Sequence, residues 1–461
     1  ELDDKAVLQK IQRRVAYLTG VRNTAKAYRS ISPDPLCTGG DVVEQLRAKH
    51  PPCPNQEEIA EVDLDFDEPA YVISPEEVKA KVKNTPRGSG AGPDGVVYEH
   101  IRSFMFSAST EIRDRYLAAT TLYANNVTAE RQTDKFSSFY ASARLLGIGK
   151  KDSPGAVRPI AVGNCIRRVI SGIHYAKSIQ RAKDKGTFFP EQVGAGGISN
   201  SIEGTILTMD EFLHRVSTED MDPMEDGTVG VKIDAKNAFN NIDRATMLRM
   251  GRLHNPGSLR YDMNCYQVPS ALFVYGSDSV IIFSRQGCHQ GDPKSMFNFF
   301  LALKPLIEEI RRQFPSITFS KWFCDDGTMV GPRAVMVDVI QFLVDEGPKF
   351  GFFLNMKKTG IFSPDIDVNV DGLAEFPASL KRLDYAVKGI EFLGSIVTAS
   401  AVAQNDFLMD KLAEVQPTWD RLASLDNPQV AYTLFRLCGG LVQLQHLLRT
   451  LPPENITGAL G

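Results

Sequence analysis

No apolar run in the 461 residues approaches the roughly 18 that a membrane span needs, and no apolar leader opens the chain. Neither a membrane-spanning helix nor a signal segment is therefore expected in this stretch. The seven cysteines are scattered without a Cys-x-x-Cys spacing, which argues against a zinc module or a disulfide scaffold. A reducing, intracellular setting, nucleus or cytoplasm, is therefore expected. Internal repeats and low-complexity tracts are missing too, which leaves ordinary globular packing. Hydrophobic content of 43% and charged content of 23% fit that class. The length suits two to four packed units. The chain opens on Glu1 rather than Met, so further domains of a longer polyprotein are expected.

An excess of basic charge is also lacking, since the net charge is -4. The average conceals a segregation. Residues 57–77 carry nine acids and no Lys or Arg, whereas residues 141–185 carry ten Lys/Arg against two acids. A basic stretch of that density can follow a phosphate backbone and release its counterions.

Along the chain, residues 5–30 read as one amphipathic helix, followed by a Pro/Cys/Gly-rich connector through Pro54 in which no chemistry is expected. Ser74-Pro75-Glu76-Glu77 is a helix start, with Ser as N-cap and Pro at the first position. The Gly88–Gly95 loop leads into a helix over Tyr98–Phe106. A hairpin is predicted from Arg144–Ile148 and Val157–Val162, with Lys150 and Lys151 near its tip and Arg158 on the return strand. From 228 onward the order is strand 228–233, helix 241–254, a hairpin of Ala271–Tyr275 and Val280–Ser284, and helix Phe297–Arg312. A hairpin of Ile317–Phe323 and Thr328–Val330, a helix near 333–346 and a strand Phe352–Leu354 follow. That is the β-α-β-β-α-β order of a ferredoxin-like unit. Residues 401–450 read as helices alone.

Asp234 ends the run Val229-Gly230-Val231-Lys232-Ile233, and Asp325-Asp326 sit at the turn of a strand pair. Three carboxylates delivered from strand ends to one place suit magnesium, which takes oxygen ligands and shares them with substrate phosphates. A pair of such ions can hold the attacking and leaving oxygens of a phosphoryl displacement. Asp94 in Gly92-Pro93-Asp94-Gly95 is read as a turn cap, and His289 as a loop residue.

These motifs, in this order over about residues 88–397, resemble a reverse transcriptase, most like those of non-LTR (LINE-type) retrotransposons. The resemblance implies an α+β right-hand polymerase with a ferredoxin-like palm, mixed fingers and a helical thumb. It places an N-terminal extension at 1–86, fingers and palm at 87–398 (palm core from about 226), and thumb at 399–461. It makes Asp234, Asp325 and Asp326 the ligands of two Mg²⁺, with Mn²⁺ as a substitute. Lys358 of Leu354-Asn355-Met356-Lys357-Lys358-Thr359 becomes the proton donor to pyrophosphate, with Lys357 as its rival. Lys150, Lys151, Arg158, Ala235, Phe239, Gln290 and Gly291 would contact the incoming nucleotide, Phe239 excluding a 2′-hydroxyl. Ile390–Gly394 takes the place of the primer grip. The implied partners are an RNA template, a DNA or RNA primer and dNTPs. Phe323 stands where the family usually has Tyr, which leaves the carboxylates unaffected. Two other readings are open: an RNA-dependent RNA polymerase, and a non-catalytic polymerase fold kept as a nucleic-acid-binding subunit.

Overall fold

Thr228–Ile233 is the central strand of a sheet whose order is Lys381–Arg382, Gly360–Phe362, Thr228–Ile233, Asp326–Pro332, Phe319–Phe323. The architecture is that of a computed structural model describing residues 2–20, 23–31, 36–62, 64, 68–150, 153–195, 201–218, 227–277, 279–365 and 370–456. The last four strands pair antiparallel. With helices Ser295–Gln313 and Arg333–Asp345 intervening in sequence, this is the ferredoxin-like arrangement that the element order predicts.

Alternation along the central strand explains how the sheet is covered. Val229, Val231 and Ile233 enter the main core with Leu303, Ile307 and Met336 from those two helices. Phe319, Val330 and Phe362 point the other way, onto helix Ser201–Ser217 and the hairpin Ile390–Phe392/Ser395–Val397. Gly230 is required here: a Cβ would lie 2.1 Å from the Phe362 ring that crosses it. At the hairpin's own turn Leu393 and Gly394 both have positive φ, the pattern of a two-residue hairpin loop.

The closing palm strand departs from expectation. It is Gly360–Phe362; Phe352–Leu354 forms only an isolated bridge, Leu354 to Ala235. The apolar run there is buried instead as packing, with Phe352 edge-on to Trp322 at 5.8 Å.

The fingers sheet is built on the hairpin Ala143–Lys150/Ser153–Gly163, extended by Ser270–Val274 and Ile281–Ser284. Its remaining strand, Leu36–Cys37, comes from the segment expected to be an idle connector. That segment also contains helix Gly40–Ala48, so the connector reading is corrected. Leu46 closes the apolar core of the fingers with Leu145 and Val157, which is what pulls the segment into regular structure. The single N-terminal helix is corrected as well. Leu2–Gly20 and Thr24–Arg29 are separate, with Asn23 capping the second by accepting from the Lys26 N–H.

Helices Ala401–Ala423, Pro428–Leu434 and Gln445–Thr450 follow the hairpin Ile390–Phe392/Ser395–Val397, as the all-helical reading of this stretch expects. Val15, Leu18, Ala27 and Ile31 of the N-terminal helices share a core with Leu422 and Leu434. The N-terminal helices thus pack against the C-terminal ones.

The acidic and basic stretches find each other: Arg181 is paired with Glu68, and Lys177 with Glu77 at 2.7 Å, while Glu58 is paired with Arg249 of the palm. Part of the expected phosphate-tracking charge is therefore internal to the fold.

Candidate active site

The strand register brings the carboxylates to one end of the palm sheet. Ile233 pairs with Gly327, so Asp234, one step on, faces the Asp326 side of the turn. Phe323 pairs with Asp326 across a two-residue loop of Cys324 and Asp325. Cys324 takes φ +54, a left-handed conformation that costs a non-glycine residue about 1 kcal/mol. Its side chain is buried in the main core, which holds the turn in place and leaves Asp325 at the apex.

Asp234 is fixed by its neighbours. The Asn355 side-chain amide donates to its carboxylate at 2.7 Å, and its own N–H donates to the Thr359 hydroxyl at 3.2 Å. Its carbonyl accepts from the Asn355 N–H at 2.8 Å. Asn355 therefore aims the carboxylate.

Electrostatics show how close the groups lie. The Asp325 carboxyl is pushed up to about 6, first by burial, then by the negative charges of Asp326 and Asp234, against the pull of Lys150. Asp326 is raised chiefly by burial; Lys232 and Lys358 oppose this, while Asp234 and Glu391 add to it. Asp326 is exposed to water, Asp325 partly so. Among the described residues, no three Asp, Glu, His or Cys side chains are yet close enough to grip an ion. The donor set fits Mg²⁺: three carboxylates, hard oxygen ligands only, borne on two strand ends and the turn between strands.

The other sequence-named residues fall into groups. Lys150, half-buried at the hairpin tip, acts on Asp325. Lys358, exposed, acts on Asp326. Arg158 is exposed on the return strand, opposite Ile148. Lys151 lies outside the described residues. Phe239 is stacked on Phe299, centroids 4.8 Å apart, and its carbonyl accepts from the Cys288 N–H at 2.8 Å. Ala235 is buried in the palm core at 7% exposure and bridges Leu354 through its backbone. Gln290 ties its loop to the fingers, its carbonyl accepting from the Ala161 N–H at 2.8 Å. Gly291, φ +123, passes so close that a Cβ would sit 2.6 Å from the Ala161 carbonyl oxygen. Asp94 is a turn cap, accepting from the Val96 N–H at 3.0 Å. His289 is buried between Ser270, at 2.9 Å, and Arg167, and burial holds it well below the usual histidine range.

Sequence reasoning missed Lys49. Its carbonyl accepts from the Asn237 and Asn240 side chains at 2.8 and 2.7 Å, only a few residues beyond Asp234. Its ammonium is lowered by burial and then by the charges of Lys150 and Lys358, so the three cations share one space. The available signal was Asn237 and Asn240 themselves, two amides after the motif aspartate with no partner evident in the sequence. Arg244 was missed too. It is fully buried, donates to the Gly287 and Gln286 carbonyls at 3.0 and 3.1 Å, and so shapes the loop that carries Gln290 and Gly291.

Residues 148–397 match the family described as reverse transcriptase (RNA-dependent DNA polymerase). No curated protein matches the chain. Among solved structures, the chain is similar to telomerase from Candida albicans in complex with a TWJ fragment of telomeric RNA. That likeness has 12% identity and a TM-score of 0.40, and covers 74% of this chain and 61% of the other, under two thirds of its length. The family match takes in more than half of the chain and every strand that carries a candidate carboxylate. The fold is accordingly an α+β right-hand polymerase, and the chain belongs to the reverse transcriptase family.

Proposed function

We propose that this chain is an RNA-directed DNA polymerase of the non-LTR type, adding dNTPs to a primer 3′-hydroxyl on an RNA template. The main support is the register that sets Asp234 against the acid turn, together with an Asp325 carboxyl raised to about 6 by burial and like charge. The hand divides into fingers and palm over 87–398, with the palm core from about 226, and thumb over 399–461. Residues 1–86 brace all three.

Asp234 and Asp325, with Asp326 beside them, would hold two Mg²⁺, which supply a more acidic primer hydroxyl and neutralise charge on the departing pyrophosphate. The chain's own groups do the rest. Asn355 keeps the Asp234 carboxylate turned into the cleft. Lys150, Lys151 and Arg158 from the hairpin, with Lys49 from the extension, bind the triphosphate as point charges and hydrogen-bond donors. Lys358 donates a proton to pyrophosphate as it leaves. Gly291 lets the backbone approach the nucleotide closely, and Gln290 holds that loop to the fingers. Phe239, pinned by Phe299, fills the space a 2′-hydroxyl needs.

Primer extension on RNA and DNA templates, in Mg²⁺ and in Mn²⁺, with dNTPs and with NTPs, tests this reading. The wild type is expected to extend on RNA with dNTPs. Phe239→Ala should gain NTP use by about a hundredfold, since a lost steric block is worth roughly 1–3 kcal/mol. Equal use of NTPs by the wild type would favour an RNA polymerase instead.

A further inference from the structure

Away from the carboxylates lies a concentration of the opposite sign. A cavity of about 540 Å³ opens where the N-terminal helices meet the Gly-rich loop and the base of the fingers. Arg14, Lys26, Arg29 and Arg168 line it, with Ser30 and Ser89 among them. None of the four cations is paired with a carboxylate among the described residues.

We infer that this cavity holds backbone phosphates of the single-stranded RNA template on its way to the palm, an inference that rests on the polymerase reading above.

The cations are placed by the fold rather than left as solvated tails. The Arg168 guanidinium donates to the Gly90 carbonyl at 2.7 Å and lies 4.8 Å over the Tyr98 ring. Arg29 donates to the Ala25 carbonyl at 3.3 Å. Gly88, φ +67, is pressed on the N-terminal helix so tightly that a Cβ would lie 2.8 Å from Leu18. Glu99, close to Lys26, accepts from the Gly88 N–H and so holds the loop. Burial, followed by the charges of Arg14, Arg29 and Arg168, lowers the Lys26 ammonium, and Glu99 only partly offsets them. Four like charges held together against repulsion call for a polyanion. Duplex is disfavoured by the concave, half-apolar lining, to which Ile11, Pro86 and Val162 contribute. Such a mix of phosphate-binding cations and apolar surface for sugar and base suits one strand.

The connection to the catalytic end is direct. Ser153–Gly163 begins at the hairpin tip, where its partner Lys150 acts on Asp325, and reaches the cavity at Val162. At about 3.3 Å per residue the strand spans roughly 30 Å. Only a template with a long 5′ overhang can bridge it.

The test is the affinity of full-length protein for primer–templates with 5′ RNA overhangs of about two and about twelve nucleotides, over a range of KCl. Wild type is compared with Arg14→Ala/Arg29→Ala, both exposed positions, and with Arg14→Lys/Arg29→Lys. Wild type should gain affinity from the long overhang. The alanine pair should lose that gain, with a salt slope shallower by about 1.4, which is a loss of about tenfold against wild type at 0.15 M that vanishes toward 1 M. The lysine pair should keep it, and short-overhang extension should match wild type in both variants. An alanine pair with the wild-type slope and overhang gain overturns the inference and leaves the polymerase reading standing. Equal losses on short and long overhangs, or a gain confined to DNA overhangs, also overturn it. Such losses would mark a folding role or another kind of acidic partner. A wild type that extends no primer overturns the polymerase reading first.

Discussion

Charge is gathered in two regions of the palm, and they handle it differently. Beneath the Gln286–Pro293 loop, Arg167 and Asp292 meet at 2.9 Å with 2% and 6% of their side chains exposed, and Lys294 is paired with Asp262. Arg244 is equally buried and surrounded by carbonyl and hydroxyl acceptors. At the end of the central strand, Asp234, Asp325 and Asp326 confront one another with no such closure. Where charge is paired, the residues specify the shape of a loop; like charges gathered at one sheet end are an arrangement that a bound cation would stabilise. The same contrast, with the sign reversed, distinguishes the cationic cavity from the Arg181–Glu68 and Lys177–Glu77 pairs.

Substitution on each side of that comparison should give opposite results. Asp325→Asn removes a needed ligand and should lower primer extension about a thousandfold, several kcal/mol of transition-state stabilisation. The same change removes like-charge repulsion, so the metal-free variant should melt higher than wild type in a thermal scan. Arg167→Ala should behave the other way. It strands the Asp292 carboxylate in the core and should cost about 3–5 kcal/mol in urea unfolding.

A pH series sharpens the comparison. His174 and His289 are fully buried and held well below the usual histidine range, chiefly by burial. The unfolded chain binds their protons first, so their contribution is complete above about pH 6.5 and is lost as pH falls through it. Two such groups give a slope of about 2.7 kcal/mol per pH unit. Asp325 works in the opposite direction, since its raised carboxyl favours the folded state as pH falls from about 6 toward its unfolded value. Unfolding free energies at pH 7.5, 6.5 and 5.5 should show the net histidine slope, and His289→Asn should flatten it by about half.

The smallest expected effect belongs to Lys49. Lys49→Ala should raise the KM for dNTP about tenfold, roughly the 1.4 kcal/mol of one charge-assisted contact, with kcat little changed. Lys49→Arg should recover most of it, which a purely structural role at the Asn237 and Asn240 amides would not require, since those bond the backbone carbonyl.

What the sequence made legible follows from which interactions are local. The palm strands and the acid turn could be read because period-two apolar patterning and motif order lie along the chain. Gly360–Phe362 could not. Its glycine leaves space for Leu383, whose atoms would lie 2.6 Å from a Cβ, and nothing nearby in sequence announces that. Phe352–Leu354 looked more strand-like and was not, because Gly351 (φ +72) and the turn into Asn355 direct it into the core. Helix Gly40–Ala48 and Lys49 were hidden for a related reason: their structure depends on Leu46 meeting residues about a hundred positions away. Charge segregation was visible, but its partial cancellation across the fold was not.

The most direct measurement is Mn²⁺ binding, followed by electron paramagnetic resonance, for wild type, Asp234→Asn and Asp325→Asn in the presence of a dNTP. The account expects the wild type to bind a spin-coupled pair of ions and each variant to lose the coupling and bind at least tenfold more weakly, about 1.4 kcal/mol or more per lost ligand. Variants that bind Mn²⁺ as tightly as wild type, with the coupled signal intact, would contradict it.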